Sequence, residues 1–161
     1  TILLSGKIYT ARDAAHKKIK QALDQREPLP FDLNGAILYY AGPTPEKEGM
    51  VIGSCGPTTS SRMDRFAPEF YDHGVLATIG KGERNHAVCE ACKKNRSVYL
   101  CAIGGAGALA AKHIVSKKVI AFEELGCESV KELIFRDFPL TVAVDSAGNN
   151  LFEQRDIGSP E

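Results

Sequence analysis

The sequence predicts an α/β fold with an at least partly parallel sheet, and two observations carry that prediction. Short apolar runs alternate along the chain with segments whose apolar residues recur every three or four positions, the spacing of one helix face. The stretch Ala36–Ala41 is apolar or aromatic almost throughout, as in a strand covered on both sides. Some neighbouring strands are joined too tightly for a purely doubly wound sheet.

In chain order, Ile2–Leu4 and Ile8–Tyr9 read as short strands around a Ser5-Gly6 turn. Thr10-x-x-Asp13 resembles a capping box with Asp in place of Glu. The helix it opens has Ala11, Ala15, Ile19 and Leu23 on one face, and Pro28 and Pro30 end it. After the Ala36–Ala41 strand, Gly42-Pro43-Thr44-Pro45 turns the chain and Met50–Ile52 forms a further short strand. Met63, Phe66 and Phe70 then mark a helix that Pro68 interrupts and Gly74 closes. Val75–Ile79 is a strand, Glu83–Lys94 a helix, Ser97–Ile103 a strand, and Gly104–Ile114 a small-residue turn and helix. Val119–Phe122 and Thr141–Asp145 are strands, and Ser129–Phe135 fits no single pattern. Residues 1–152 are expected to form one domain, with 153–161 a polar tail.

Composition excludes several function classes. Lysine plus arginine and aspartate plus glutamate number 20 each, and no basic stripe offers a surface to nucleic acid. No run of 18 apolar residues is present to span a membrane as a helix. The opening Thr1-Ile2-Leu3-Leu4 lacks the basic region and cleavage site of a signal peptide, and its start inside an apolar run reads as a trimmed N-terminus. Five cysteines, an odd number, suit a reducing cytoplasmic setting better than a disulfide framework. Cys89-x-x-Cys92 has no second pair to complete a zinc site, and both thiols fall with Val88 and Ala91 on an apolar helix face, so they read as structural.

The chemistry concentrates in Gly53–Asp64, where Thr58, Thr59, Ser60 and Ser61 precede Arg62 behind a Gly-Pro turn. Hydroxyls and free backbone N–H groups at a helix start bind anions, and a guanidinium beside them can grip a carboxylate with two parallel bonds. Two other loops after strands carry cations: Thr10–His16 with Arg12, and Gly80–Arg84 with Lys81 between two glycines. Ligands collect at the carboxyl ends of strands in α/β sheets, so convergence of the three loops would surround a dicarboxylate or small phosphate ester with positive charge. The bland alternative is that each cation points into solvent, as most do.

A rival site is Gly105-Ala-Gly-Ala-Leu-Ala110, which follows a strand, opens a helix and is followed by Glu123, the context of a dinucleotide fingerprint. The short helix and the lack of room for a substrate domain favour simple close packing of small residues instead. A P-loop is excluded, because Lys81 is followed by Gly rather than Ser or Thr. His16, His73, His86 and His113 lack metal spacing and read as surface or supporting residues.

Taken together, Leu4–His16, Gly53–Asp64, Ile79–Gly82, Ala121–Gly126 and Asp137–Asp145 resemble the β subunit, equivalently the C-terminal domain, of the class I iron–sulfur fumarate hydratase and L-tartrate dehydratase family. The resemblance implies a swivelling β/β/α domain with a mixed sheet flanked by helices. It also implies a larger α subunit carrying a 4Fe-4S cluster, two of each subunit in the assembly, and no metal held by this chain. It assigns Arg12 and Arg62 to the substrate carboxylates, with Thr59 also on the substrate, Thr58 to proton transfer and Lys81 to the active site. Ser61 stands where glycine is common and Cys55 where alanine is common, changes that leave the charges in place. The activity so implied is reversible hydration of fumarate to (S)-malate, with L-tartrate dehydration as the alternative. Readings of other classes are a dinucleotide-binding domain on Gly105–Ala110 and a non-catalytic carboxylate-binding module.

Overall fold

The computed structural model describes residues 1–102 and 107–153. Six strands, β1 (Ile2–Thr10), β2 (Ile37–Tyr39), β3 (Ala77–Gly80), β4 (Val98–Cys101), β5 (Ile114–Ala121) and β6 (Val130–Val144), form one mixed sheet. Strands β1, β2, β3 and β4 are mutually parallel neighbours in that order. Strand β6 runs antiparallel to both β4 and β1, which closes the five into a barrel. Strand β5 adds to β6 outside that ring. The α/β class and the mixed sheet are as the sequence predicts.

The α-helices among the described residues are α1 (Asp13–Asp24), α2 (Ala67–Asp72), α3 (His86–Asn95) and α4 (Gly107–Lys112). Alternation along the strands divides the buried residues into two clusters. Leu38, Tyr40 and Tyr99 pack with Ile19, Phe70, Val88 and Cys92 of the helices. Tyr39, Ile79, Leu100 and Phe135 face the other way, with Phe138 and Leu140. Strand β2 contributes to both, which is why its sequence is apolar at successive positions. On α3, Val88, Cys89, Ala91 and Cys92 are all buried, as the structural reading of the two cysteines requires, and all five cysteines are free thiols.

Several local expectations need correction. The two short strands around Ser5-Gly6 are one strand, with a bulge where Gly6 takes φ 128° and the register with β6 shifts. Ser5 Oγ accepts the Asp137 N–H at 2.9 Å across that bulge. Thr10 does not cap α1. It ends β1, and its hydroxyl accepts the Lys131 N–H at 3.0 Å, while the N-cap position falls to Arg12 with no side-chain cap bond. Met50–Ile52 forms no strand, and Met50 and Val51 are exposed.

The largest departure is β6, where the ambiguous Ser129–Phe135 and the separate Thr141–Asp145 strand are parts of one 15-residue element. It passes through Asp137 at φ 52° and through Pro139, features that break a strand read locally. Strand β5 pairs no further along β6 than Phe135, and β4 begins at Thr141. The proline therefore sits where that edge of β6 has no neighbour to lose a donor.

Candidate active site

Parallel strands β1, β2 and β3 bring their carboxyl ends to one side of the barrel. The ladder continues past the named strands: Ala11 N–H donates to the Tyr39 carbonyl at 2.9 Å and Tyr40 N–H to that of Ile79 at 2.8 Å. The hydroxyl-rich segment lies across these ends. Thr58 N–H donates to the Tyr40 carbonyl at 2.7 Å, Ser60 N–H to the Lys81 carbonyl at 2.9 Å, and Thr59 pairs with Lys81 in an isolated parallel bridge. Gly80 is needed for this approach, because a Cβ there would overlap the Ser60 hydroxyl and crowd the Tyr40 ring. Thr58 is half-buried, while Thr59 and Lys81 are exposed at the mouth.

Arg12 lies two residues past the end of β1 and is half-buried against Gly42, where a Cβ would come within 3.0 Å of both Arg12 Cδ and the Cys127 carbonyl. Its Nε is buried and has no hydrogen-bond partner among the described residues. An orphaned charge-bearing donor costs free energy unless a ligand completes it. One turn on, His16 is fully buried, its ring stacked on Phe70 with centroids 5.1 Å apart. His16 Nδ1 lies 2.8 Å from the Arg12 carbonyl. With Nδ1 donating that bond, Nε2 is left as an unpaired acceptor among aromatic rings, which matches its lack of a partner among the described residues. Burial lowers the His16 pKa from 6.5 to about 4.

Two ion pairs hold the segment after the hydroxyls. Arg62, on a 3₁₀ turn over Ser60–Met63, places Nε at 3.0 Å and Nη2 at 2.9 Å from the same oxygen of Asp13, Oδ2. Two residues on, Asp64 Oδ1 receives Arg84 Nε at 2.6 Å and its Oδ2 accepts the Asn85 N–H at 2.9 Å. Arg84 also donates to Thr78 Oγ1 and the Tyr40 hydroxyl, both at 3.2 Å, and stacks over Tyr40 and Tyr99. Burial opposes the Arg84 charge, but Tyr40, Tyr71 and Asp64 together outweigh it and hold its pKa above the ordinary value. Tyr99 adds a second brace, its hydroxyl bridging Ser60 Oγ and the Gly82 carbonyl at 2.8 Å each.

The structure thus joins the three predicted loops through main-chain and side-chain bonds. Asp13, Asp64, Arg84 and His16 are additions. In the sequence Asp13 resembles part of a cap, although an acid beside Arg12 in a loop expected to meet Arg62 is also a pairing signal. Asp64 and Arg84 close the two other loops and have opposite charge, the one sequence hint of their contact. His16, expected at the surface or in support, is instead part of the aromatic core.

The rival dinucleotide site gains no such support. Gly105 and Ala106 of the small-residue motif lie outside the described residues, and β5, the strand after α4, pairs with β6 and not with β4. The adjacent parallel strands of a dinucleotide-binding unit are therefore absent there. Among the described residues no group of three or more His, Cys, Asp or Glu could hold a metal ion. Burial raises the Cys89 thiol pKa and pushes that of Cys92 up to about 11, the opposite of what a thiolate ligand needs. The donor set of these residues does not fit an iron–sulfur cluster. Nor is any described helix long and apolar enough to cross a membrane.

A family profile described as Fumarase C-terminus matches residues 1–155. The chain belongs to the fumarase C-terminus family. Among its relatives, Fumarate hydratase 2 of Leishmania major is 42% identical over 155 residues, covering 95% of this chain and 27% of its own length. The Putative L(+)-tartrate dehydratase subunit beta of Methanocaldococcus jannaschii is 43% identical over 159 residues, covering 95% of this chain and 82% of its own. The L(+)-tartrate dehydratase subunit beta of Escherichia coli K12 is 35% identical, covering 95% and 77%. The chain thus spans about a quarter of the fumarate hydratases it matches and most of the tartrate dehydratase β subunits.

Proposed function

We propose that this chain is the β part of an iron–sulfur hydro-lyase that reversibly hydrates fumarate to (S)-malate. The observation that carries the reading is the joining of the three loops at the carboxyl ends of β1–β3, through the Thr58 N–H on the Tyr40 carbonyl, the Thr59–Lys81 bridge and the pairing of Arg62 with Asp13, the neighbour of Arg12. Two guanidiniums suit two carboxylates, and the buried, unpartnered Nε of Arg12 is a donor that a carboxylate oxygen would complete. Thr59, across its bridge from Lys81, lies beside the bound substrate.

Thr58 is assigned the proton on the reacting carbon. In hydration its hydroxyl gives that proton to one alkene carbon while the oxygen of a water adds to the other, and the proton which that water releases returns to the alkoxide. In dehydration the alkoxide takes the proton from carbon, and that proton leaves with the departing hydroxyl group as water. A threonine alkoxide needs stabilisation, which the Lys81 ammonium next to this segment supplies. A 4Fe-4S cluster on a partner α subunit would provide Lewis-acid activation of the substrate hydroxyl. The assembly is read as two of each subunit, in the cytoplasm.

Thr58→Ala in the complete enzyme should lower kcat by about 10²–10⁴-fold with assembly intact. Substantial turnover by a correctly assembled variant would remove Thr58 from the reaction. A second reading, L-tartrate dehydration, is supported by the 43% and 35% identity to L(+)-tartrate dehydratase β subunits. Anaerobic assays of fumarate and L-tartrate, with this chain alone and then with its partner, separate the two.

A further inference from the structure

We propose that Asp13 is the positioning residue for Arg62, fixing which edge of its guanidinium meets a substrate carboxylate. The inference rests on the dicarboxylate reading of the site. A guanidinium offers carboxylates two edges, one made by Nε and an Nη nitrogen and the other by the two Nη nitrogens. Asp13 Oδ2 takes the first edge, with contacts of 3.0 Å from Nε and 2.9 Å from Nη2. Among the described residues Nη1 has no partner, and the Arg62 side chain is 51% exposed. The end-on edge is the one left for a ligand.

Asp13 is suited to hold such a position. It is the first residue of α1, next to Arg12, so its backbone is fixed by the helix that carries the other proposed carboxylate-binding arginine. Its side chain is 27% exposed, and its second oxygen, Oδ1, is buried without a partner among the described residues. That carboxylate is thus only half satisfied by protein, and Arg62 is its one charged partner within 4 Å among them. An exposed pair of this kind adds little to folding. Its value lies in removing rotamer freedom from a long side chain before the ligand arrives. Asp13 ties the β1–α1 loop to the hydroxyl loop, and so sets Arg62 relative to Arg12.

The test compares wild type with Asp13→Asn and Asp13→Glu in the complete enzyme, by hydration kinetics and by titration with succinate as an unreactive dicarboxylate. Because Arg62 grips the carboxylate equally in ground and transition states, Asp13→Asn should raise KM and the succinate dissociation constant about tenfold, with kcat within about twofold. Asp13→Glu, which keeps the charge, should recover much of that loss, a rescue that a cap or packing role would not give. Unchanged KM in Asp13→Asn overturns the role, and a lowered KM overturns it too, showing Asp13 to be a competitor for Arg62. A fall in kcat with KM unmoved likewise overturns it. A wild-type enzyme that neither turns over a dicarboxylate nor binds succinate would overturn the dicarboxylate reading itself.

Discussion

Arg84 and Arg62 are each paired with an aspartate, and both pairs tie down the same short stretch, Ser60–Asp64, yet they sit in opposite surroundings. Arg84 has no side-chain exposure, Asp64 has 10%, and beyond each other the pair is held by the hydroxyls of Thr78 and Tyr40, the Asn85 backbone amide and the rings of Tyr40 and Tyr99. Arg62 is half exposed, and Asp13 holds only one edge of it. Each of the three guanidinium nitrogens of the buried arginine bonds to protein, whereas among the described residues Nη1 of the exposed one has no partner. Charge at a site mouth is therefore divided between groups that build the loops and groups that remain available, and hydrogen-bond saturation tells them apart.

That contrast breaks most visibly at the buried pair. Asp64→Ala leaves the Arg84 charge buried and should cost about 3–5 kcal/mol of stability, read from urea unfolding at pH 7. A loss near that of an exposed pair would mean that water reaches Arg84 and the contrast is false.

Acid tests the same region through His16, which is neutral and buried beside Tyr40. Its folded pKa of about 4 lies below the unfolded 6.5, so the unfolded chain binds the proton first as pH falls. Its stabilising contribution is complete above about pH 6.5 and lost progressively toward pH 4, about 3 kcal/mol in all. Carboxylates also titrate there, so the measurement is the difference between the unfolding curves of wild type and His16→Phe. Parallel curves across that window would place water at the imidazole.

The smallest effect on folding should come from the exposed pair. Arg62→Ala should change stability by less than about 1 kcal/mol while raising KM for the dicarboxylate. Equal damage to folding at Arg62 and Arg84 would abolish the distinction.

Part of this is legible in the sequence. Leu38, Tyr39 and Tyr40 declared a strand with two covered faces, and α3 declared itself through Val88, Cys89, Ala91 and Cys92, because these signals lie within one element. Arg12, Arg62, Lys81 and the run of hydroxyls from Thr58 to Ser61 stand out as candidates because hydroxyls, cations and glycines cluster locally in loops after strands, whereas it is the family resemblance that singles out Thr58 among them. Asp137 and Pro139 hid β6, since each reads as a break unless the neighbouring strands are known. Thr10 and Asp13 looked like a cap, because a local hydrogen bond is the nearest use for such side chains. Their actual partners, Lys131 and Arg62, are far along the chain.

The alternation of strands and helices and the chemical content of three loops follow from periodicity and residue type over a few neighbours, and are written in the chain. The closing of the barrel by β6, the meeting of Asp64 and Arg84 under the hydroxyl loop, and the hold of Asp13 on one edge of Arg62 arise only on folding. Those contacts join residues distant in sequence, and their strength depends on burial and orientation, which exist only once the barrel has closed.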